Sequence, residues 1–285
     1  MRGNLSRIRD PGARMRLQHD YHTHTIHSKH SDPRMTVANS MAAGREAGLA
    51  SQVVLEHVPE IGSPERRTLD AWYAGAQDRT HLETIAQEIA AAKESAPNVR
   101  VYRGVELDAD PIKLDGSAML DDLSGLEIVV GSTHVFPGGE AFWYERLQLP
   151  VEKGWRVART WAKWVERYIR SGKIHILAHP GDLAAANHLI PPFDDVRTKE
   201  LFDPVLKALA DMKVAFELNE LLGVKLKEPY RASYVHLVQQ AKSYGLKFSI
   251  ASDAHAPNNV GRFNWVFDLI EAADLGPRDF WAPSK

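Results

Sequence analysis

Short apolar runs recur along the 285-residue chain, at roughly 16–22, 51–56, 99–106, 127–133, 173–178, 213–219 and 246–252. Each is rich in Val, Ile, Leu or Phe and short enough to read as a strand. Helical periodicity fills the intervals. TVANSMAAGREAGL closes at Gly48 in a C-cap position, and THLETIAQEIAAAKESA is acid-rich early with Pro97 just beyond its end. The segment EKGWRVARTWAKWVERYIRSGK places Trp155, Val157, Ala158, Trp161, Trp164, Val165 and Ile169 on one stripe, closed by Gly172. Such a stripe reads as core rather than as a ligand platform. LFDPVLKALADM and ASYVHLVQQAKSYG precede the last two strands, and FNWVFDLIEAADLG follows the seventh. Strand–helix alternation of this kind predicts a parallel sheet. With polar residues gathered at the strand ends, it predicts an α/β fold, a distorted (β/α)7 barrel in a single domain without a linker.

The polar residues that end these runs are of one chemical kind. LQHDYHTHTIHSKHSD carries His19, His22, His24, His27 and His30, and VVLEH ends in His57. GVELDAD brings Glu106, GSTH brings His134, ILAHPGD brings His179, and IASDAH brings Asp253 and His255. A parallel barrel converges such residues on its C-terminal mouth. Strand parity predicts that His22 and His24 face inward while His19 and Tyr21 face the helices. Asp253 and His255 repeat the spacing, and Glu106 shares parity with Gly104, so Arg103 points away. His175 shares parity with His179 but lies four residues earlier, as a hydrogen-bonded core histidine would. Glu217 and Asn219 both face inward, Asn219 nearer the mouth. One His-X-His pair carries little weight. Seven inward histidines without a metal would each need a separate buried partner, which is costly. The pattern therefore predicts metal binding, and nine ligands are more than one or two catalytic ions need.

Composition narrows the choice of metal and partner. The chain has no cysteine, so disulfides and thiolate sites are excluded. Imidazole and carboxylate ligands suit Zn, Mn, Fe or Mg. Hydrophobic residues make up 44% and charged residues 25%, with a formal net charge of −2, so no broad basic surface invites nucleic acid. No run of about eighteen apolar residues predicts a membrane span. MRGNLSRIRDPGARMR holds five arginines and one acid, without the apolar centre of a secretory signal. It reads as a loose tail over residues 1–15, ahead of a barrel domain at 16–285 and a cytoplasmic location. Insertions at 58–80, 107–125 and 135–153 each follow a ligand candidate and should shape the mouth. GSPERRTLDAWYAGAQD and FPGGEAFWYERLQLP, glycine-rich and aromatic, suit either a lid or a packed surface loop.

The motifs DYHTHTIHSKHS, VVLEHV, RGVELD, VGSTHVFP, LAHPGD and IASDAHAPNNVG together resemble those of the polymerase-and-histidinol-phosphatase (PHP) family, over roughly residues 16–265. All nine ligand positions of its trinuclear members are filled, and the step from His24 to His30 makes His27 a bystander. The resemblance implies a distorted seven-stranded (β/α) barrel with two to three divalent ions (Mn, Zn or Fe). His22, His24, Glu106 and Asp253 would hold one ion, and Glu106, His134 and His179 a second. His30, His57 and His255 would hold a third. It implies a phosphoric-ester hydrolase in which metal-bound hydroxide attacks phosphorus in line, with Asp253, His255 and Glu106 as catalytic candidates.

The segment VAFELNELLGVKLKEPYRASYVHLVQQAKSYGLKFSIASDAH resembles histidinol-phosphate phosphatases, where Glu-Ile-Asn and a later Pro-Tyr recur. The substrate this implies is a small phosphomonoester, histidinol phosphate the first candidate, which would place the chain in histidine biosynthesis. Asn219 and Arg262 are the substrate-binding candidates, Arg262 as a phosphate clamp, with Lys225, Lys227 and Arg231 nearby. One departure is HPGDLAAANH, which lacks the arginine that some of these phosphatases carry after the ligand matching His179. The alternative is a phosphodiesterase or exonuclease acting on cyclic phosphates or nucleic-acid ends. A degenerate, inactive module should have lost ligands, and this chain keeps nine. Oligomeric state stays open.

Overall fold

The computed structural model describes residues 17–60, 68–139, 142, 149–183 and 189–283. Among them are eight strands in parallel register: β1 His19–Thr23, β2 Ser51–Val54, β3 His57–Val58, β4 Arg100–Asp108, β5 Ile128–Ser132, β6 Ile176–Leu177, β7 Ala215–Asn219 and β8 Phe248–Ala251. β2 and β3 pair with successive halves of β4, so the eight fill seven positions. The order runs β1-β2-β4-β5-β6-β7-β8. Closure between β8 and β1 comes just past the strand ends. The Asp253 N–H donates to the His22 carbonyl at 2.9 Å, and the His24 N–H to the Ala254 carbonyl at 3.0 Å. The result is one α/β domain, a nearly closed, distorted (β/α)7 barrel, as the alternation predicted.

Eight α-helices among the described residues surround it: α1 Val37–Glu46, α2 Leu69–Ala74, α3 Thr80–Ala92, α4 Val151–Arg170, α5 Val196–Met212, α6 Glu220–Lys225, α7 Tyr230–Ser243 and α8 Asn264–Ala272. The stripe read on α4 is core: Ala158, Trp161, Trp164, Val165 and Ile169 are buried, and Trp155 and Val157 pack partly against them. Beneath the strand ends, Tyr21, Val53, Leu55, Tyr102, Ile128, Val130, Ile176, Ala178 and Ala215 form the packed barrel interior. That filling closes the barrel below and leaves the upper mouth for chemistry.

Three details correct the parity reading. β1 shifts register between Asp20 and Thr23, so Tyr21 faces the interior rather than the helices. Its ring stacks on His19 at 5.6 Å and meets Trp281 edge-on. Alternation fails there because an irregular strand no longer turns each side chain by half a revolution. His175 is exposed at the start of β6, its Nδ1 accepting the Val129 N–H at 2.9 Å, and is not a core histidine. On β6 it is Ile176 and Ala178 that point inward.

The tail at 1–15 lies outside the described residues, as do 61–67, 140–141 and 143–148 within the two glycine-rich insertions. What is described of the three insertions packs together: Trp72 and Ala76, Met119, and Val135 and Phe142 make a separate small core. Trp72 meets Phe142 edge-on at 5.8 Å, and Tyr73 donates to Asp110 at 2.9 Å. Among the described residues no helix is long and apolar enough to cross a membrane.

Candidate metal centre

All nine predicted ligand residues converge at the C-terminal mouth. Glu106, at the end of β4, is the hub. Its Oε2 lies 3.3 Å from His22 Nε2, 3.4 Å from His24 Nε2 and 2.7 Å from His57 Nδ1. Its Oε1 lies 3.3 Å from His134 Nε2 and 2.9 Å from His179 Nε2. Asp253 Oδ1 stands 3.4 Å from His24 Nε2 and 3.7 Å from His22 Nε2. His30 and His255 close the outer edge with their Nε2 atoms 2.8 Å apart. His22, His24 and Glu106 are buried, whereas His30 is exposed.

Two of the candidates reach the site through left-handed backbone. His179 has φ of 28° and Asp253 has φ of 54°. Non-glycine residues pay for this region, and such strain collects where function demands a particular side-chain direction. His179 would otherwise follow the outward parity of Leu177, which packs in the outer core.

The second ring nitrogens determine which nitrogen is free. His22 Nδ1 donates to Glu217 Oε1 at 2.9 Å and His24 Nδ1 to Glu56 Oε2 at 3.4 Å. His134 Nδ1 donates to Asp108, both of whose carboxylate oxygens lie 3.2 Å away. His30 Nδ1 donates to the Ser28 carbonyl at 2.8 Å, and His255 Nδ1 to the Asp253 carbonyl at 3.0 Å. His179 Nδ1 sits 2.6 Å from Asp182 Oδ2. For the five rings whose Nδ1 is hydrogen-bonded, the partner can only accept, so Nδ1 holds a proton and Nε2 of the neutral ring faces the cluster. His179 Nε2 instead bonds the Glu106 carboxylate at 2.9 Å and so donates there in the metal-free chain. With the rings neutral, as metal ligands must be, the Nε2–Nε2 approaches of 3.0 Å between His22 and His24, and 2.8 Å between His30 and His255, would set lone pairs face to face. A cation resolves that opposition. Buried atoms left without hydrogen bonds make the same point: Glu106 Oε2 and both ring nitrogens of His57 have no such partner. His57 Nδ1 is near Glu106 yet too oblique to bond it. The donor set is imidazole and carboxylate throughout, which fits a borderline divalent ion.

The metal-free electrostatics follow. Burial alone would lower the His22 pKa, but Glu217, Glu106 and Asp253 hold it well above the usual histidine value. Burial opposes charge on His24 as well, yet Asp253, Glu106 and Glu56 push it up to about 10. His179 is raised against its burial by Asp182 and Glu106. Glu106 and Asp253 are buried, yet the surrounding histidines, His134 foremost for Glu106 and His22 for Asp253, hold both well below the carboxylate range. Burial lowers His57 and His255, with His24 adding to the effect on each.

The clustering of donors differs in detail from the threefold partition expected. Triads with mutually close ligand atoms are His22, His24 and Glu106; His57, Glu106 and His134; and His24, His57 and His255. His24, His57 and Glu106 thus each belong to two triads, and His30, His179 and Asp253 join them through His255, Glu106 and His24. Glu56, Asp108 and Asp182, which orient three of the rings, were not singled out in the sequence. Each lies within three residues of a ligand, in LEH, ELD and HPGD, and that adjacency was the available signal.

Beside the cluster opens a cavity of about 550 Å³, lined by His30, Asp253, His255, Lys225, Asn259, Arg262 and Asn264 among others. Arg262 is exposed there, where a phosphate clamp would need to be. Asn219 is placed differently from expectation. Its side chain is buried, Nδ2 donates to Glu217 at 2.9 Å and Asp253 at 3.2 Å, and Oδ1 accepts the Leu222 N–H at 2.8 Å. With both ends of its amide engaged, it does not present itself to a substrate. Lys227 is exposed and does not line the cavity, while Arg231 lies over the Trp265 ring at 5.5 Å.

No family model matches the chain. Among curated proteins it is similar to a probable phosphatase of Shewanella sp., 24% identical over 262 residues, covering 91% of this chain and 84% of the other. A probable phosphatase of Caldanaerobacter subterraneus is 28% identical over 265 residues, covering 92% and 85%. Among solved structures, it is similar to the histidinol phosphate phosphatase of Lactococcus lactis, complexed with zinc, L-histidinol and phosphate. The TM-score is 0.56 at 17% identity, over 90% of this chain and 93% of that one. A Listeria monocytogenes protein assigned as a histidinol phosphatase gives a TM-score of 0.63 at 16% identity, over 86% and 97%. At such identities the two structures speak for the fold.

Proposed function

We propose that the chain is a metal-dependent phosphatase of the PHP type that hydrolyses a small phosphomonoester to an alcohol and inorganic phosphate. The observation that carries this reading is the convergence of imidazole nitrogens on Glu106 and Asp253 at the barrel mouth. His22, His24, Glu106 and Asp253 would hold one divalent ion, and Glu106, His134 and His179 a second. His30, His57 and His255 would hold a third at the outer edge. The ions, when bound, would supply an acidified water at neutral pH and positive charge for the phosphate oxygens.

The chain's own residues divide the remaining work. Glu217, Glu56 and Asp108 hold ring nitrogens so that the opposite nitrogens face the cluster, and Asp182 pairs with His179 Nδ1 at 2.6 Å. Lys225 and Arg262 give the cavity a cationic wall beside Asp253. A phosphate dianion seated at the cluster would meet that wall, with the rest of the substrate in the cavity.

Histidinol phosphate is the first substrate to test, on the motif resemblance and on the ligands present in the Lactococcus lactis structure. The missing arginine after His179 keeps the panel broad. Phosphate release should be compared by kcat/KM across histidinol phosphate, other small monoesters, a cyclic diester and a single-stranded oligonucleotide, with and without chelator. Monoesters should lead, and chelator should abolish turnover. Preference for the cyclic diester or the oligonucleotide end would refute the monoesterase assignment. Full activity in chelator would refute the metal.

A further inference from the structure

Six of the seven strand positions end in candidate ligands, and β7 does not. It ends instead in Glu217 and Asn219, both fully buried. Glu217 Oε1 accepts from His22 Nδ1 at 2.9 Å. Glu217 Oε2 accepts from the His179 backbone N–H at 2.7 Å and from Asn219 Nδ2 at 2.9 Å. The same Asn219 nitrogen reaches Asp253 Oδ2 at 3.2 Å. One carboxylate therefore touches candidate ligands from β1 and beyond β6, and reaches a third beyond β8 through a single amide. Of the other carboxylates behind the histidines, Glu56 and Asp108 each hydrogen-bond one ring, and Asp182 pairs with one at 2.6 Å.

From this arrangement we infer that Glu217 is a positioning residue that couples two of the ion sites, so that they gain or lose affinity together. The inference rests on the proposed metal centre. Glu217 sets His22 for one ion through its ring and His179 for another through its backbone. The second contact matters because His179 sits at φ of 28°, a conformation few side chains hold unaided. The 2.7 Å bond to its N–H secures that turn from the neighbouring strand. Asn219 extends the hold to Asp253, also in left-handed backbone with φ of 54°.

An amide in place of this carboxylate cannot reproduce the pattern. Glu217 faces three donors with acceptors alone. In Glu217→Gln, one amide orientation turns NH2 toward His22 Nδ1. That nitrogen must then accept, which moves the ring proton to Nε2 and removes its lone pair from the cluster. The opposite orientation turns NH2 against both the His179 N–H and the Asn219 amide. Either way at least one site is disturbed directly, and the shared strand end passes the shift to the other.

The test is zinc titration of the metal-depleted full chain by isothermal calorimetry, comparing wild type, Glu217→Gln and Asp182→Asn. Circular dichroism of each metal-depleted protein checks the fold. Glu217→Gln should weaken two zinc equivalents together by at least about tenfold, the lower end of the range for residues that orient ligands. Asp182→Asn should weaken one. Should Glu217→Gln fail to fold, Asn219→Ser keeps the helix cap of α6 but removes the link to Asp253, and it should weaken the equivalent that contains Asp253. Zinc affinities within threefold of wild type in Glu217→Gln, or a loss confined to one equivalent as in Asp182→Asn, would overturn the coupling. So would unchanged affinity in Asn219→Ser where that variant is used. Wild-type protein that takes up no zinc would instead remove the metal centre on which the inference stands.

Discussion

Chelation should cost this protein a large and calculable share of its thermal stability. The lone pairs that face each other across 3.0 Å and 2.8 Å are opposed in the metal-free chain unless protons intervene. The folded state gathers these donors, and the unfolded chain scatters them, so ions held at the proposed centre would bind the folded state selectively. An ion present at a hundred times its Kd then stabilises by about 2.7 kcal/mol. Unfolding entropy near about 2.1 cal/mol/K per residue, taken over 285 residues, comes to about 600 cal/mol/K. Each kcal/mol therefore moves Tm by roughly 1.7 °C. One ion at that saturation is worth roughly 4–5 °C, and two to three together roughly 9–14 °C. Differential scanning fluorimetry of protein before and after chelator, then with zinc or manganese restored, measures the difference directly. A Tm within 1 °C before and after, with metal content shown by elemental analysis to have changed, would refute the argument that the fold assembles the donors for a cation.

Other consequences can be read from the same coordinates. Asp253→Asn keeps shape but removes a buried charge beside His24 and sets an amide against Asn219, so turnover of a preferred monoester should fall at least about a hundredfold. His175→Gln touches an exposed ring bonded only to the Val129 N–H, so kcat/KM should stay within twofold, and a catalytic collapse there would contradict the placement of the mouth. Metal uptake should release protons. His24 is raised to about 10, so it carries an extra proton at pH 8 in metal-free protein and must shed it on ligation, and His22 and His179 are shifted in the same direction. Affinity should therefore fall as pH falls. Calorimetry at pH 8 in buffers of different ionisation enthalpy checks the sign, and heats independent of buffer would contradict it. Gly104→Ala would set a methyl group 2.4 Å from Val53 Cγ1 inside the filled barrel, so urea unfolding should show a loss of about 1–3 kcal/mol.

How far the sequence alone reaches is best judged strand by strand. The apolar runs and the convergence of the candidate ligands that end them were legible because both follow from local chemistry: a buried strand needs apolar residues, and a metal site would need imidazole and carboxylate. Inward direction was legible where the backbone stays regular, as from Tyr102 through Gly104 to Glu106 on β4. It failed on β1, where a register shift admits Tyr21 and His22 to the interior in succession. It failed on β6 also, where Ile176 and Ala178 rather than His175 point inward and His179 enters through a left-handed turn that no periodicity announces. Asn219 shows the deeper limit. Its inward direction was read correctly, yet direction does not say whether an amide meets a substrate or a neighbouring carboxylate. That depends on β8 and β6 closing around β7, a contact between residues some 34 and 38 apart in the chain. The same long-range closure explains why the carboxylates behind the histidines were hidden. Glu56 sits beside the ligand His57 yet orients His24, 32 residues away. Ligand identity is thus written locally, while ligand orientation, on which metal affinity depends, is written across strands.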